Sequence, residues 1–190
     1  MSEPNDSGNV PRDVIARIAV GFAEAEASAG AREVDGNNSG PWVEKYLNAN
    51  HPGRISHRGE PWCVAFFLWC WKQALTMSRR ELPFPFTRSC GQLWDQLQTH
   101  GSVYRFTVGE GKPPFELAPG DAVFWDFNQS GSPDHVNMVH RIEPDGVLYT
   151  IGGNEGSVDT GAPVKSKRRG TLAELRGVFG FGRLLCEGSP

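Results

Sequence analysis

Cys63 lies in the run Pro61-Trp62-Cys63-Val64-Ala65-Phe66-Phe67-Leu68-Trp69-Cys70-Trp71, which carries no charge from Val64 to Trp71. The spacing predicts a helix rather than a buried strand. Pro61 suits a first helical turn, and Lys72, Gln73, Ala74 and Leu75 continue the run in helix-favouring residues as far as Met77. Cys63 then falls within the first turn, where free backbone N–H groups and the positive end of the helix dipole favour a thiolate. The thiolate is the nucleophile of cysteine chemistry. A nearly all-apolar helix behind it is buried on several sides. The same stretch also fits a plain core cysteine, and on its own it does not separate the two readings.

A nucleophilic thiol needs a base that returns the proton to a leaving group, and histidine does this near neutral pH. His135 opens a predicted strand directly after the loop Ser130-Gly131-Ser132-Pro133-Asp134. A strand start facing a cleft is within reach of a helix tip. His140 is five residues on, so the two-residue period of a strand sends it to the other face. His100 ends a helix as a favourable cation, and His51 and His57 read as surface residues. A third polar group must hold the imidazole in its working tautomer. Asn154, in Gly152-Gly153-Asn154, fits that place if the two preceding strands pair as a hairpin, and Glu155 competes for it. Gly-Gly-Asn also serves as an ordinary turn.

These side chains need a scaffold. At 190 residues, with 38% hydrophobic residues, the chain has material for one domain with a substantial core. The expected division is a leader over 1–12 and a single domain over 13–187. Twenty-three glycines and fourteen prolines imply many turns, against a helix bundle. Residues 13–29, a short segment from Pro41 capped by Ser39, the Cys63 segment and 89–100 read as helices. Residues 103–108, 120–125, 135–142, 147–151, 164–169 and 178–185 read as strands, with Pro144-Asp145-Gly146 as a hairpin turn. Helices first and strands second, joined by short links, give an α+β class with an antiparallel sheet.

A net charge of −3 speaks against a nucleic-acid binder. The basic run Lys165-Ser166-Lys167-Arg168-Arg169 reads as a solvated strand edge. The four cysteines show no C-x-x-C pair and no zinc spacing, and reduced thiols are expected. The Asp35–Ser39 run is a polar turn rather than a calcium loop, lacking the closing Glu of an EF-hand. Met1 to Pro11 has no apolar core of the kind a signal peptide carries. No uncharged run approaches the roughly 20 residues that cross a bilayer, so no membrane partner is expected.

Together, these motifs resemble the CHAP-type peptidoglycan hydrolases, relatives of the papain-like NlpC/P60 enzymes. Pro61 to Phe66 with Trp69-Cys70 is similar to their nucleophile helix. Pro119-Gly120-Asp121 and the apolar residues after it resemble their P-G-D strand, Asp134-His135-Val136 their histidine strand, and Gly152-Gly153-Asn154 their closing motif. Arg32-Glu33-Val34, Asn37-Asn38 and Tyr46 resemble the segment before the nucleophile helix. The resemblance implies a papain-like fold with N-terminal helices packed on a C-terminal antiparallel sheet. It implies Cys63 as nucleophile, His135 as base and Asn154 as the orienting residue. Trp62, Glu33, Asn38 and Trp125 would line the substrate groove. The implied reaction is hydrolysis of an amide in cell-wall peptidoglycan, as amidase or endopeptidase, with the oxyanion held by the Cys63 backbone N–H and a neighbouring donor. No metal or organic cofactor is needed. Two positions depart from the family pattern. Many CHAP sequences carry Glu where this chain has Gly152, and a small residue where it has Asn137. Two further readings share these residues: a catalytically silent wall-binding or interaction module, and a papain-like hydrolase or acyltransferase on an intracellular amide. For the hydrolase, the expectation is a monomer made in the cytoplasm and acting in the periplasm or wall. Phage lysis or non-classical secretion would deliver it, with room for an immunity or delivery partner.

Overall fold

The computed structural model describes residues 10–34, 36–49, 59–109, 113, 115–156 and 161–186. Most of the expected leader, His51, His57 and Asp35 lie outside them. Among the described residues, four helices precede a six-stranded sheet: α1 (Arg12–Ser28), α2 (Pro41–Leu47), α3 (Cys63–Met77), α4 (Cys90–His100), then β1 (Gly101–Arg105), β2 (Ala122–Trp125), β3 (His135–Ile142), β4 (Leu148–Gly152), β5 (Lys165–Gly170) and β6 (Val178–Leu184). The strand order is β1-β6-β2-β3-β4-β5, with every neighbouring pair antiparallel. The α+β class and papain-like layout expected from the sequence are what the structure has.

The helices form a layer on one face of the sheet. Ile15, Ala19 and Ala23 of α1, nearly all of α3, and Leu93 and Leu97 of α4 pack with Ala122, Phe124, Val136, Met138 and Ile151. The opposite face has its own apolar cluster of Val123, Trp125, Val139, Leu148 and Phe181, roofed in part by Phe106 and Leu175. Cover on both faces explains why β2 reads Ala-Val-Phe-Trp without a polar residue and is buried throughout. The sequence reading placed helices on the sheet but did not see this second core.

Several boundaries moved. Pro61 precedes α3 instead of lying in its first turn, with Trp62 as the N-cap, which makes Cys63 the first helical residue. Gly40, not Ser39, caps α2, because the Ser39 hydroxyl donates to the Gly36 carbonyl at 2.6 Å. The first strand begins at Gly101, directly after α4. Gly101 sits against the Arg183 carbonyl on β6, where a Cβ would lie 2.3 Å away, so a residue read as a stop signal is also a strand start.

Asp121 fixes the helix layer to the sheet. Its fully buried carboxylate accepts from Arg12 on α1 at 2.6 Å, from Arg183 on β6 at 3.0 and 2.7 Å, and from the Ala118 N–H at 2.9 Å. Asp121→Ala leaves two guanidinium groups facing an empty, buried space. The expected cost is about 3 kcal/mol, read as a lower urea midpoint with an unchanged slope.

Candidate active site

Cys63 is buried at the start of α3, with 2% of its surface exposed. Its backbone N–H is among those a helix start leaves without an intrahelical acceptor. Its sulfur lies 3.9 Å from that of Cys90, the first residue of α4. The thiol is held well below its ordinary range. The Cys90 hydrogen bond contributes most, burial opposes it, and the hydrogen bond and charge of His135 and the Val136 backbone add to the lowering. Cys90 is driven up by that same contact, by burial, and by the charges of Cys63 and Asp134. The two shifts run in opposite directions, so of the pair Cys90 holds its proton the more tightly.

His135 opens β3 opposite Trp125 of β2. Its Nε2 is 3.3 Å from Glu155 Oε1 and 3.0 Å from Asn137 Nδ2. Burial pushes the imidazole down, but the hydrogen bonds and charges of Cys63 and Glu155 outweigh it and hold it at about 9. Burial pushes the Glu155 carboxyl up, yet the His135 hydrogen bond, the charges of Arg169 and His135 and the Lys167 hydrogen bond bring it down to about 2. The three shifts reinforce one another, each favouring the charged form of its group: Cys63, His135 and Glu155.

Glu155 is itself held from behind. Lys167 Nζ lies 2.5 Å from its Oε2, and Arg169 donates to its Oε1 at 2.9 Å. The Asn137 amide also donates to Oε1. That amide has one orientation, because its oxygen accepts from Trp125 Nε1 at 2.6 Å and from Arg169 at 2.9 Å, which turns its NH₂ toward Glu155. Lys167 and Arg169 lie two apart on β5 and so share the face that serves the site, while Arg168 between them is exposed. The run is more than the solvated edge expected from composition.

The structure brings Cys63 and His135 together and sets Asn154 apart from the ring. Asn154 follows β4 with φ 61°, a left-handed turn that delivers the next residue, Glu155, to the imidazole. Among the described residues, the carboxylate beside His135 is that of Glu155. Asn154 lines the mouth of an open cleft of about 500 Å³, with Phe127, Asn128, Asp134, His135, Glu155 and Lys167. A second hollow of about 430 Å³ is lined by Pro61, Ser89 and their neighbours, beside the chain positions of Cys63 and Cys90.

The residues expected to line the groove are mostly interior. Trp62 is fully buried, stacks on Tyr46, and donates from Nε1 to Glu33 at 3.1 Å, which itself is 4% exposed. Gly153 lies against the Trp62 ring, where a Cβ would be 2.3 Å away, so the second glycine of Gly-Gly-Asn is a packing requirement. Trp125 is 3% exposed and faces Asn137. Asn38 sits at φ 53° and donates to the Gly59 carbonyl at 3.3 Å. His140 turns to α1, meeting Glu24 at 2.7 Å, on the side away from His135 as the strand period requires. Cys90, Asn137, Lys167 and Arg169 are the site residues that sequence reasoning did not assign. Period two along β5 carried the only readable signal for the last two.

Comparison with curated proteins and with solved structures finds no match. A family model, the CHAP domain, matches residues 55–154. The matched segment carries Cys63 and His135 and ends one residue before Glu155. With 100 of the 190 residues matched (154 − 55 + 1), the chain belongs to the CHAP domain family, a group of cysteine- and histidine-dependent amidohydrolases.

Proposed function

We propose that this protein hydrolyses an amide bond of bacterial peptidoglycan, with Cys63 as nucleophile, His135 as acid and base, and Glu155 in the orienting position. The observation that carries the reading is the contiguous line of Cys90, Cys63, His135 and Glu155 side chains, with the Cys63 thiol lowered and the His135 imidazole raised. A silent module has no use for a depressed thiol joined to a raised imidazole.

Nε2 of His135 faces the Glu155 carboxylate, so Nδ1 is the nitrogen left to face Cys63. The thiolate attacks the amide carbonyl, and the free Cys63 backbone N–H at the start of α3 donates to the developing oxyanion. His135 gives its proton to the departing amine, and the acyl group remains on sulfur as a thioester. His135, now neutral, takes a proton from water, and the hydroxide releases the acid and restores the thiolate. Glu155 stabilises the imidazolium at both ends of the cycle. Asn137 and Arg169 act as positioning residues by holding Glu155. Action in the periplasm or wall is part of the proposal, since that is where the substrate lies.

Incubation with purified peptidoglycan, followed by mass spectrometry of the soluble fragments, tests this. Release of fragments ending in a new free carboxyl and a new amine is the expected result, and their masses separate amidase from endopeptidase cleavage. No fragments from several wall chemistries would sink the reading. The rate should also fall at alkaline pH. Imidazolium is present below the His135 pKa of about 9 and lost above it, so the high-pH limb of kcat/KM belongs near 9.

A further inference from the structure

Two thiols meet at the reacting centre, and the hydrolysis needs only one. Cys63 and Cys90 are the first residues of α3 and α4, and their sulfurs are 3.9 Å apart. A disulfide requires about 2.05 Å, so the sulfurs must close by roughly 2 Å. Cys70 and Cys186, also buried, have no thiol beside them among the described residues. The neighbourhood is also unequal. Cys63 is the anionic partner, flanked by the imidazolium of His135, while Cys90 holds the proton.

We propose that Cys63 and Cys90 form a reversible disulfide when the protein meets a peroxide, with Cys90 as the thiol that resolves the oxidised nucleophile. The inference rests on Cys63 being the nucleophile of the reading above. In the first step the Cys63 thiolate attacks one oxygen of hydrogen peroxide. The O–O bond breaks, the second oxygen leaves as hydroxide and takes a proton to become water, and Cys63 becomes a sulfenic acid. Sulfur is oxidised by two electrons and the peroxide is reduced by two. The negative charge that kept Cys90 protonated is then gone. In the second step the Cys90 sulfur attacks the Cys63 sulfur, the S–OH bond breaks, and hydroxide leaves with the proton shed by Cys90 as a second water. The product joins the starts of α3 and α4 and removes the nucleophile without taking it to an irreversible sulfinic acid. A dithiol returns both cysteines to the reduced form.

The test uses the full chain. Reduced wild type is treated with hydrogen peroxide, digested without reductant and mapped by mass spectrometry, and fragment release is measured before and after dithiothreitol. The expected result is a cross-linked peptide containing Cys63 and Cys90, with Cys70 and Cys186 still free. Activity falls by about tenfold or more and returns with dithiothreitol. Cys90→Ser should instead carry Cys63 on to sulfinic acid, and its activity should not return. A Cys63 sulfinic acid in wild type with Cys90 still a thiol would overturn the proposal, as would cross-links through Cys70 or Cys186 in place of this one. The wild-type cross-link is decisive even if Cys90→Ser folds poorly. Iodoacetamide labelling of the reduced protein below neutral pH reports separately on the nucleophile. Selective labelling of Cys63 without a peroxide cross-link rejects the disulfide and leaves the hydrolase reading intact. Labelling of Cys63 no faster than Cys70 rejects the nucleophile, and the disulfide with it.

Discussion

Cys63→Ala should reduce release of peptidoglycan fragments by about 10⁴-fold or more, to the level of the uncatalysed control. The loss is in chemistry, because alanine keeps the helix start and removes one small buried group. Cys63→Ser should be nearly as poor, since a serine hydroxyl, far less acidic than a thiol, does not form the anion that pairs with His135. A second readout separates loss of the thiolate from general damage. The His135 imidazole is raised partly by the hydrogen bond and charge of Cys63, while burial pulls the other way. Removal of the sulfur must therefore lower it, and NMR titration of the ring in Cys63→Ala should show an imidazole that deprotonates well below pH 9. Wild-type fragment yields from Cys63→Ala would exclude the whole catalytic scheme.

Glu155→Gln should lower kcat/KM by about 10²- to 10³-fold, whereas Asn154→Gly should stay within about threefold of wild type. The glutamine keeps the shape of the side chain but cannot balance the imidazolium. It also leaves Lys167 and Arg169 facing a neutral group. With the carboxylate charge gone, imidazolium becomes less favourable, and the alkaline limb of the pH profile should move down from about 9. That displacement marks an electrostatic partner of His135, because a purely structural loss would scale the profile without moving it. Glycine is the right replacement at 154, since φ 61° suits it and alanine would add strain. The opposite outcome, a crippled Asn154→Gly beside an active Glu155→Gln, would return the orienting position to Asn154.

The positions of Cys63 and His135 were readable because each sits at the end of a strongly patterned element. The uncharged run from Val64 to Trp71 announces α3, and β3 spans His135–Ile142 as its alternation and its Pro144–Gly146 turn require. Which side chain lies beside the His135 ring was not readable. Hairpin pairing does place Ile151 beside Met138. Beyond Gly152, however, the chain enters a left-handed turn at Asn154, and one positive φ decides which of two adjacent side chains meets the ring. Asn, Gly and Glu in a row fit either outcome. Cys90 was hidden for another reason. It meets Cys63 only because two helix starts converge, and no local pattern within α4 records where its first residue points. Trp62 and Trp125 were misplaced because a large indole beside a reactive residue fits a groove wall and a core equally well. Here Gly153 and Asn137 close over them.

The contact between Gly152 and Asn137 constrains how such a site can change over generations. A Cβ at 152 would lie 2.4 Å from Asn137 Nδ2, so the asparagine occupies the volume that any side chain at 152 would need. Neither position can be altered freely while the other stays as it is. An acidic side chain at 152 and an asparagine at 137 therefore compete for one volume beside Glu155, and a residue larger than glycine at 152 should be tolerated only together with a smaller residue at 137.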